Sequence, residues 1–159
     1  MSMMFEKALP SPGAGLLVTG ARGFVGTALM TAARARGWRI HATTRAADQV
    51  LGAYRTFRMA HFDAASDWSP ALRDCHAVVH LAAQVHVMGT ARREQADRYR
   101  AVNLDATLHL AESAAGAGVR RFVFLSSAKV LGEYSLPGKE FSDASVPAPA
   151  PYPWWSRTW

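Results

Sequence analysis

Cysteine is nearly absent from this chain: Cys75 is the only one in 159 residues. A single cysteine excludes an intrachain disulfide and argues against a cysteine-based metal site, so we predict no metal and a reducing, cytoplasmic location. An apolar run of about 18 residues, the length that a membrane span requires, is also missing. The first stretch, "MSMMFEKALPSPGAG", has no basic segment followed by an apolar one, so we predict no secretion signal in it. Residues 1–14 are predicted to be a flexible leader.

Acidic residues are outnumbered by basic ones, and the formal net charge is +6. Such a charge raises the question of nucleic-acid binding. The arginines, however, are scattered around the end of one predicted helix, along another helix and before a strand, without a recognisable nucleic-acid-binding module. We therefore interpret them as solvated helix faces and keep nucleic-acid binding as a remote alternative.

Apolar segments of strand length alternate with segments of helix length along most of the chain. This alternation predicts an α/β fold, a doubly wound parallel sheet of the Rossmann type with strand order 3-2-1-4-5. Its domain is predicted over 15–135, and residues 136–159 form an atypical tail rich in proline and tryptophan. The predicted strands are 16–19, 38–45, a short one within 54–63, 77–83 and 121–127, and the main helices are 24–36 and 94–115.

A glycine-rich stretch, "LLVTGARGFVGTAL", joins the first strand to the first helix. Three glycines at a spacing of three suit a tight turn, a close approach to a pyrophosphate and close packing of helix on strand. The pyrophosphate would lie against free N–H groups at the positive end of the helix dipole. A purely structural turn is the alternative, and the position between strand and helix favours dinucleotide binding. The predicted contact residues of this loop are Gly20, Arg22, Gly23, Phe24, Val25 and Gly26.

The segment "VTGARGFVG" resembles the T-G-x-x-G-F-[IV]-G loop of the extended short-chain dehydrogenase/reductase superfamily, in its NAD-dependent epimerase/dehydratase group. Two further segments, "HFD" and "VVHLAAQ", resemble the stretches that follow strands three and four in that family. The resemblance implies that Asp63 contacts the adenine. It also implies that a small-residue turn lies along the cofactor, formed by Leu81, Ala82 and Ala83.

The segment "VNLDATLHLAESAAGAGVRRFVFLSSAKVLGE" resembles the family's N-x-x-[GA]-T helix, its fifth strand and its active-site serine. We expect Asn103 in this segment to hold backbone geometry between the helix and the active site. The resemblance covers roughly 16–133. It is nearest to nucleotide-sugar 4-epimerases and 4-keto-sugar reductases, which implies a nucleotide-sugar substrate and NAD or NADP as cofactor.

The end of the second strand decides between NAD and NADP in folds of this kind. A carboxylate there binds the ribose hydroxyls of NAD, whereas an arginine accommodates the 2′-phosphate of NADP. This chain has Arg45 there, with Asp48 three residues later, and Arg22 in the glycine loop could reach the same phosphate. The alternative is that both arginines point into water. The sequence leaves the choice of cofactor open, with a slight preference for NADP.

The resemblance implies hydride transfer to or from a sugar carbon, with Ser127 holding the substrate oxygen and Tyr152 as general acid/base. The family pattern Y-x-x-x-K places a lysine four residues after the tyrosine to lower its pKa, but this chain has Ser156 there. Lys129, two residues after Ser127 at the mouth of the sheet, is the only nearby lysine that could substitute, and a solvated strand-end residue is the simpler interpretation. We therefore predict that the chain is catalytically inactive as it stands.

The family's later strands and its carboxyl-terminal substrate domain are missing from this sequence. Three explanations are open: a fragment of a longer enzyme, a disrupted reading frame, or a short natural protein that binds or senses a dinucleotide without catalysis. The tail "PYPWWSRTW" carries several large aromatic side chains. If no core covers them they should bury against a second copy, so a homo-oligomer is expected.

Overall fold

The computed structural model describes residues 13–84, 92–132, 134–135 and 137–148, with the backbone alone for 92–95. The predicted leader up to residue 12, Tyr152 and the aromatic tail lie outside these residues. Five strands are present: β1 (Gly15–Thr19), β2 (Arg39–Thr44), β3 (Arg55–Arg58), β4 (Cys75–His80) and β5 (Arg121–Phe124). The helices are α1 (Phe24–Ala35), α2 (Ser69–Leu72), α3 (Arg92–Arg100) and α4 (Ala106–Gly116), with a π-helical turn at Ala101–Asp105 and a 3₁₀ turn at Ala128–Val130.

The five strands form one parallel sheet in the order β3-β2-β1-β4-β5, which confirms the predicted fold class and strand order. The chain places β2 and β3 on one side of β1, and β4 and β5 on the other. The strand order therefore reverses between β1 and β4. In parallel sheets of this type ligands bind at the carboxyl ends of the strands where the order reverses.

Strand β1 is buried on both faces, which explains its uninterrupted apolar sequence. Leu16 and Val18 pack on one face with Met30 of α1, whereas Leu17 packs on the other face with Leu110 of α4. Successive side chains of a strand point to opposite faces, so neighbouring residues enter different core clusters. Because both layers attach to β1, its carboxyl end is held rigidly from two sides.

Two predicted strands end earlier than the sequence suggested. β4 ends at His80 rather than at residue 83, because the N–H groups of the next two residues donate to a side chain of β1 instead of a neighbouring strand. β5 ends at Phe124 rather than at Ser127. Ser127 has extended backbone but its hydroxyl accepts a hydrogen bond from the N–H of Lys129, which starts a 3₁₀ turn.

The helix predicted over 94–115 begins at Arg92 and is interrupted by the π-helical turn at 101–105. The one-turn helix α2 was not predicted, since four residues carry no detectable helical periodicity. It begins where the carboxylate of Asp67 accepts a hydrogen bond from the N–H of Ser69. Hydrogen bonds from Ser69 hold the pKa of this exposed carboxyl below its usual range.

The chain divides into two compact units, one up to Phe124 and one from Leu125 onward. The first unit contains the whole sheet and its helices. In the described part of the second, the N–H of Ala148 donates to the carbonyl of Val130, and Phe141 lies beside Gly132. The predicted limits 15–135 and 136–159 stay predictions. None of the helices in the described residues is long and apolar enough to span a membrane.

Candidate functional site

The turn after β1 depends on Gly20. Its φ of +66° lies in the left-handed region, which side chains disfavour. A Cβ atom at this position would lie 2.7 Å from the carbonyl carbon of Leu81 and 2.8 Å from the nitrogen of Ala82. Glycine therefore lets the turn after β1 touch the backbone that follows β4.

Gly26 gives the first helix its close approach to the same turn. A Cβ atom there would collide with the carbonyl oxygen of Gly20 and lie 2.8 Å from the Cα of Ala21. The N–H of Gly23 donates to the carbonyl of Gly20 over 2.9 Å, which closes the turn immediately before the helix. The glycines thus have separate geometric tasks, as the spacing in the sequence predicts.

The amino end of α1 presents free hydrogen-bond donors. Gly23 is the N-cap and has no side chain to cap the helix, and the first turn contains no acidic residue. The first backbone donor with a helical partner is Thr27, which donates to the carbonyl of Gly23. The N–H groups of Phe24, Val25 and Gly26 therefore have no acceptor within the helix. An uncapped helix end of this kind, with its positive dipole, favours an anion.

Side chains from two other elements fix the segment after β4. The hydroxyl of Thr19 accepts hydrogen bonds from the N–H groups of Leu81, over 3.1 Å, and Ala82, over 3.2 Å. The side-chain amide of Asn103 accepts from the N–H of Gln84 and donates to its carbonyl, over 2.8 and 2.9 Å. The segment is therefore held on both sides, and Asn103 holds the local backbone as expected, while its place beside an active site stays a prediction.

His80 is a fully buried part of this arrangement that the sequence analysis did not single out. Its Nδ1 lies 2.6 Å from the Thr19 hydroxyl and its Nε2 lies 2.9 Å from the hydroxyl of Thr107. The ring stacks on Phe62 and Phe124, each at 5.6 Å between centroids. Burial lowers the pKa of His80 to about 4, so the imidazole is neutral at neutral pH. The sequence signal was a histidine directly after the apolar run 77–79.

Arg22 and Arg45, the two predicted phosphate ligands, differ in their surroundings. The guanidinium of Arg22 lies 3.6 Å from the carboxylate of Asp48 and donates to the backbone carbonyls of Asp48 and Gln49. Arg45 is exposed at the end of β2. Asp48, the nearest carboxylate after β2 in the sequence, is thus already paired with an arginine of the glycine loop.

Asp63 organises the turn that follows β3. Its carboxylate accepts a hydrogen bond from the N–H of Ala65 over 2.9 Å, and the Ser66 hydroxyl oxygen lies 3.3 Å from the same carboxylate oxygen. Ser66 in turn donates to the carbonyl of His61, and His109 of α4 binds the carbonyl of Ser66. The side chain is half-buried, and its expected contact with an adenine stays a prediction.

The predicted catalytic residues fall outside the first unit. Ser127 belongs to the second unit, where its hydroxyl caps the short 3₁₀ turn. Tyr152 lies outside the described residues, so the pairing of the two hydroxyls stays a prediction. Within the described segments, no three histidine, cysteine or carboxylate side chains cluster so as to hold a metal ion.

The NAD dependent epimerase/dehydratase family matches residues 16–154, which is most of the chain. UDP-glucose 4-epimerase from Vibrio cholerae is 37% identical over 136 residues, which is 84% of this chain and 41% of that protein. A 3 beta-hydroxysteroid dehydrogenase/Delta 5-->4-isomerase from Mycobacterium tuberculosis is 34% identical over 130 residues, 77% of this chain and 34% of that protein.

Solved structures give the same picture. MoeE5, in complex with UDP-glucose and NAD, is 32% identical and superposes with a TM-score of 0.68 over 85% of this chain and 42% of that one. The chain therefore spans less than half the length of each of these three proteins.

Proposed function

Because this chain belongs to the NAD-dependent epimerase/dehydratase family, we propose that it forms the NAD(P)-binding part of an enzyme acting on a nucleotide sugar. The observation that carries the proposal is the uncapped amino end of α1, which follows a glycine turn at the point where the strand order reverses. Backbone N–H groups without partners at that place suit the diphosphate bridge of a dinucleotide.

The residues around the glycine loop divide the binding of such a cofactor among them. The N–H groups of Phe24, Val25 and Gly26 would donate to the pyrophosphate. The segment Leu81–Ala83 would lie along the cofactor, held by Thr19 and Asn103. When bound, the nicotinamide would supply or accept a hydride.

The nucleotide-sugar part of the proposal is supported by the relatives rather than by the described residues. The Vibrio cholerae relative is named for UDP-glucose, and MoeE5 was solved with UDP-glucose bound. Ser127 and Tyr152 are the proposed substrate-oxygen ligand and acid/base. The absence of a lysine four residues after Tyr152 favours a second candidate function, a dinucleotide-binding or sensor protein without turnover. A tyrosine of ordinary pKa, near 10, is mostly protonated at neutral pH.

Titration calorimetry with NADH and NADPH tests the binding proposal. We expect saturable binding by the natural chain, and its loss in Gly26→Ala, since a methyl group would strike the Gly20 carbonyl. Gly116→Ala is the matched control, because a Cβ at Gly116 meets no atom within 4 Å. Circular dichroism serves to check that both variants fold. Absence of binding by the natural chain, or equal binding by both variants, contradicts the proposal.

A hydride-transfer assay with UDP-glucose and other nucleotide sugars separates the two candidate functions. We expect no turnover from this chain. Reproducible turnover would contradict the predicted inactivity and show that another group replaces the missing lysine. Saturable binding of DNA or RNA in place of either cofactor would instead support the remote nucleic-acid alternative.

We also propose that the chain self-associates in a cytoplasmic setting. β5 is an edge strand of the described sheet, and its side chains Val123 and Phe124 are 45% and 49% exposed. Exposed apolar groups on an open edge favour pairing with another chain. Sedimentation velocity across a dilution series tests this, and a monomer at every concentration would contradict it.

A further inference from the structure

His80 is a buried polar side chain beside the candidate site, and the proposed function does not assign it a role. Its ring stacks on Phe62 and Phe124, with Phe122 also close, so its neighbours include three aromatic rings and two hydroxyls. The Thr19 hydroxyl and His80 are both completely inaccessible. A buried imidazole needs partners for both nitrogens, because an unpaired polar atom in such a place is costly.

The hydrogen-bond partners determine which nitrogen carries the proton. The Thr19 oxygen already accepts two N–H groups, those of Leu81 and Ala82. Its two lone pairs are then used, so its own O–H must donate, and Nδ1 of His80 is the acceptor 2.6 Å away. Nε2 therefore carries the hydrogen and donates to the Thr107 hydroxyl. Neutral His80 is the one form that satisfies every partner.

We propose that His80 is a positioning residue for the dinucleotide site: it orients the Thr19 hydroxyl toward the N–H groups of Leu81 and Ala82, and it anchors that arrangement to Thr107 of α4. The relay links β1, β4 and α4 through consecutive hydrogen bonds. It rests on the proposed function in one respect, namely that the cofactor lies at the adjoining glycine turn.

The relay bears on that turn through direct contact. The backbone of Leu81 and Ala82 approaches Gly20 so closely that no side chain fits between them. If the Thr19 hydroxyl turns away, both N–H groups lose their acceptor and the segment after β4 shifts against Gly20. The shape of the glycine turn, and with it the direction of the free N–H groups of α1, then changes.

Three variants separate positioning from simple stability. His80→Phe keeps an aromatic ring for the phenylalanine stack but removes both hydrogen bonds. His80→Asn keeps an acceptor near the place of Nδ1. His41→Phe is the matched control, because His41 is also buried in the sheet and hydrogen-bonded to the carbonyl of Ala71, but lies in β2 away from the glycine turn.

The dissociation constant for NADH and the exchange rates of the Leu81 and Ala82 amides are the two readouts. For His80→Phe we expect the dissociation constant to rise about tenfold and both amides to exchange about tenfold faster. His80→Asn should bind within about threefold of the natural chain, although its smaller side chain lowers stability. His41→Phe should lose stability without changing either readout.

The other outcomes distinguish failure of the positioning role from failure of the proposed cofactor binding. If His80→Phe loses stability but binds NADH like the natural chain, His80 is structural only and the proposal is wrong. If His80→Phe does not fold, Thr107→Val, which removes only the distal anchor, must weaken binding in the same direction. If the natural chain does not bind NADH, the proposed function fails, and amide exchange alone decides: unchanged exchange in His80→Phe overturns the positioning role.

Discussion

The loops that follow β1 and β5 have opposite characters. The loop after β1 is held by contacts between backbone atoms. Its glycines have no side chain to block these contacts, and the helix that follows has no side-chain cap. In the segment after β5 a side chain binds the local backbone, since the Ser127 hydroxyl accepts a hydrogen bond from the N–H of Lys129. The first loop is complete within one unit. We therefore expect the proposed cofactor binding to need only the first unit, and the proposed catalysis to need Ser127 and Tyr152, which follow it.

The largest expected effect comes from Gly20→Ala. The methyl group would meet the backbone of Leu81 and Ala82 and the residue would adopt an unfavourable φ, so we expect stability to fall by more than about 3 kcal/mol and cofactor binding to be lost. Gly118→Ala is the control, because its φ of +76° is similar but its Cβ would meet no atom. Urea unfolding and calorimetry measure both. Equal losses would mean that backbone strain alone matters.

The next effect is a dependence of stability on pH. His80 has an ordinary pKa of 6.5 when unfolded and about 4 when folded. Between these pH values the unfolded chain binds the proton more readily than the folded chain. The contribution of neutral His80 to the free energy of unfolding is therefore fully present above pH 6.5, and it is lost as the pH falls from 6.5 to 4. The difference amounts to about 3 kcal/mol. Urea unfolding at several pH values should show a shallower decline in His80→Asn, and parallel declines would contradict the assignment.

A smaller effect is expected on cofactor choice. Arg45 is exposed, so Arg45→Gln should weaken NADPH binding about tenfold and leave NADH unchanged. Arg22→Gln should change the preference less, because that guanidinium is already bound to Asp48 and Gln49. Paired titrations with both cofactors test this. If neither variant alters the ratio of NADPH affinity to NADH affinity, neither arginine contacts the 2′-phosphate.

The smallest effect is predicted for Ser127→Ala. The serine caps a single 3₁₀ turn in the second unit, so its removal should cost at most about 1 kcal/mol and leave NADH affinity unchanged. Calorimetry on the two chains measures this. A marked loss of affinity would break the contrast between the two loops and bring Ser127 into the cofactor site.

The fold could be predicted because its signals are local. Apolar strands such as Leu16–Thr19 and the glycine spacing depend on neighbouring residues, and they fixed the strand order through general rules of parallel sheets. The ends of β4 and β5 could not be predicted, because they depend on which atom accepts the hydrogen bond from the N–H groups that follow the strand. For Leu81 that atom belongs to Thr19, 62 residues earlier.

The relay through His80 was beyond sequence reasoning for the same reason. A histidine at the end of an apolar strand is compatible with several roles. Only the packed positions of Thr19 and Thr107, on two other elements, identify its partners. The competition for Arg22 was hidden likewise, since Asp48 is distant in sequence from the glycine loop.

The π-helical turn at 101–105 positions Asn103, which binds the backbone of Gln84. A π-helical turn holds one residue more than an α-helical turn, so removing one residue from 101–105 would restore α-helical pairing there and leave α3 and α4 in place. Leu110 and Ala114 would keep their places in the core, while Asn103 would swing away from Gln84. We therefore expect a single-codon deletion here to remove the hydrogen bonds between Asn103 and Gln84 while the core contacts of α4 remain, so that cofactor affinity falls more than stability.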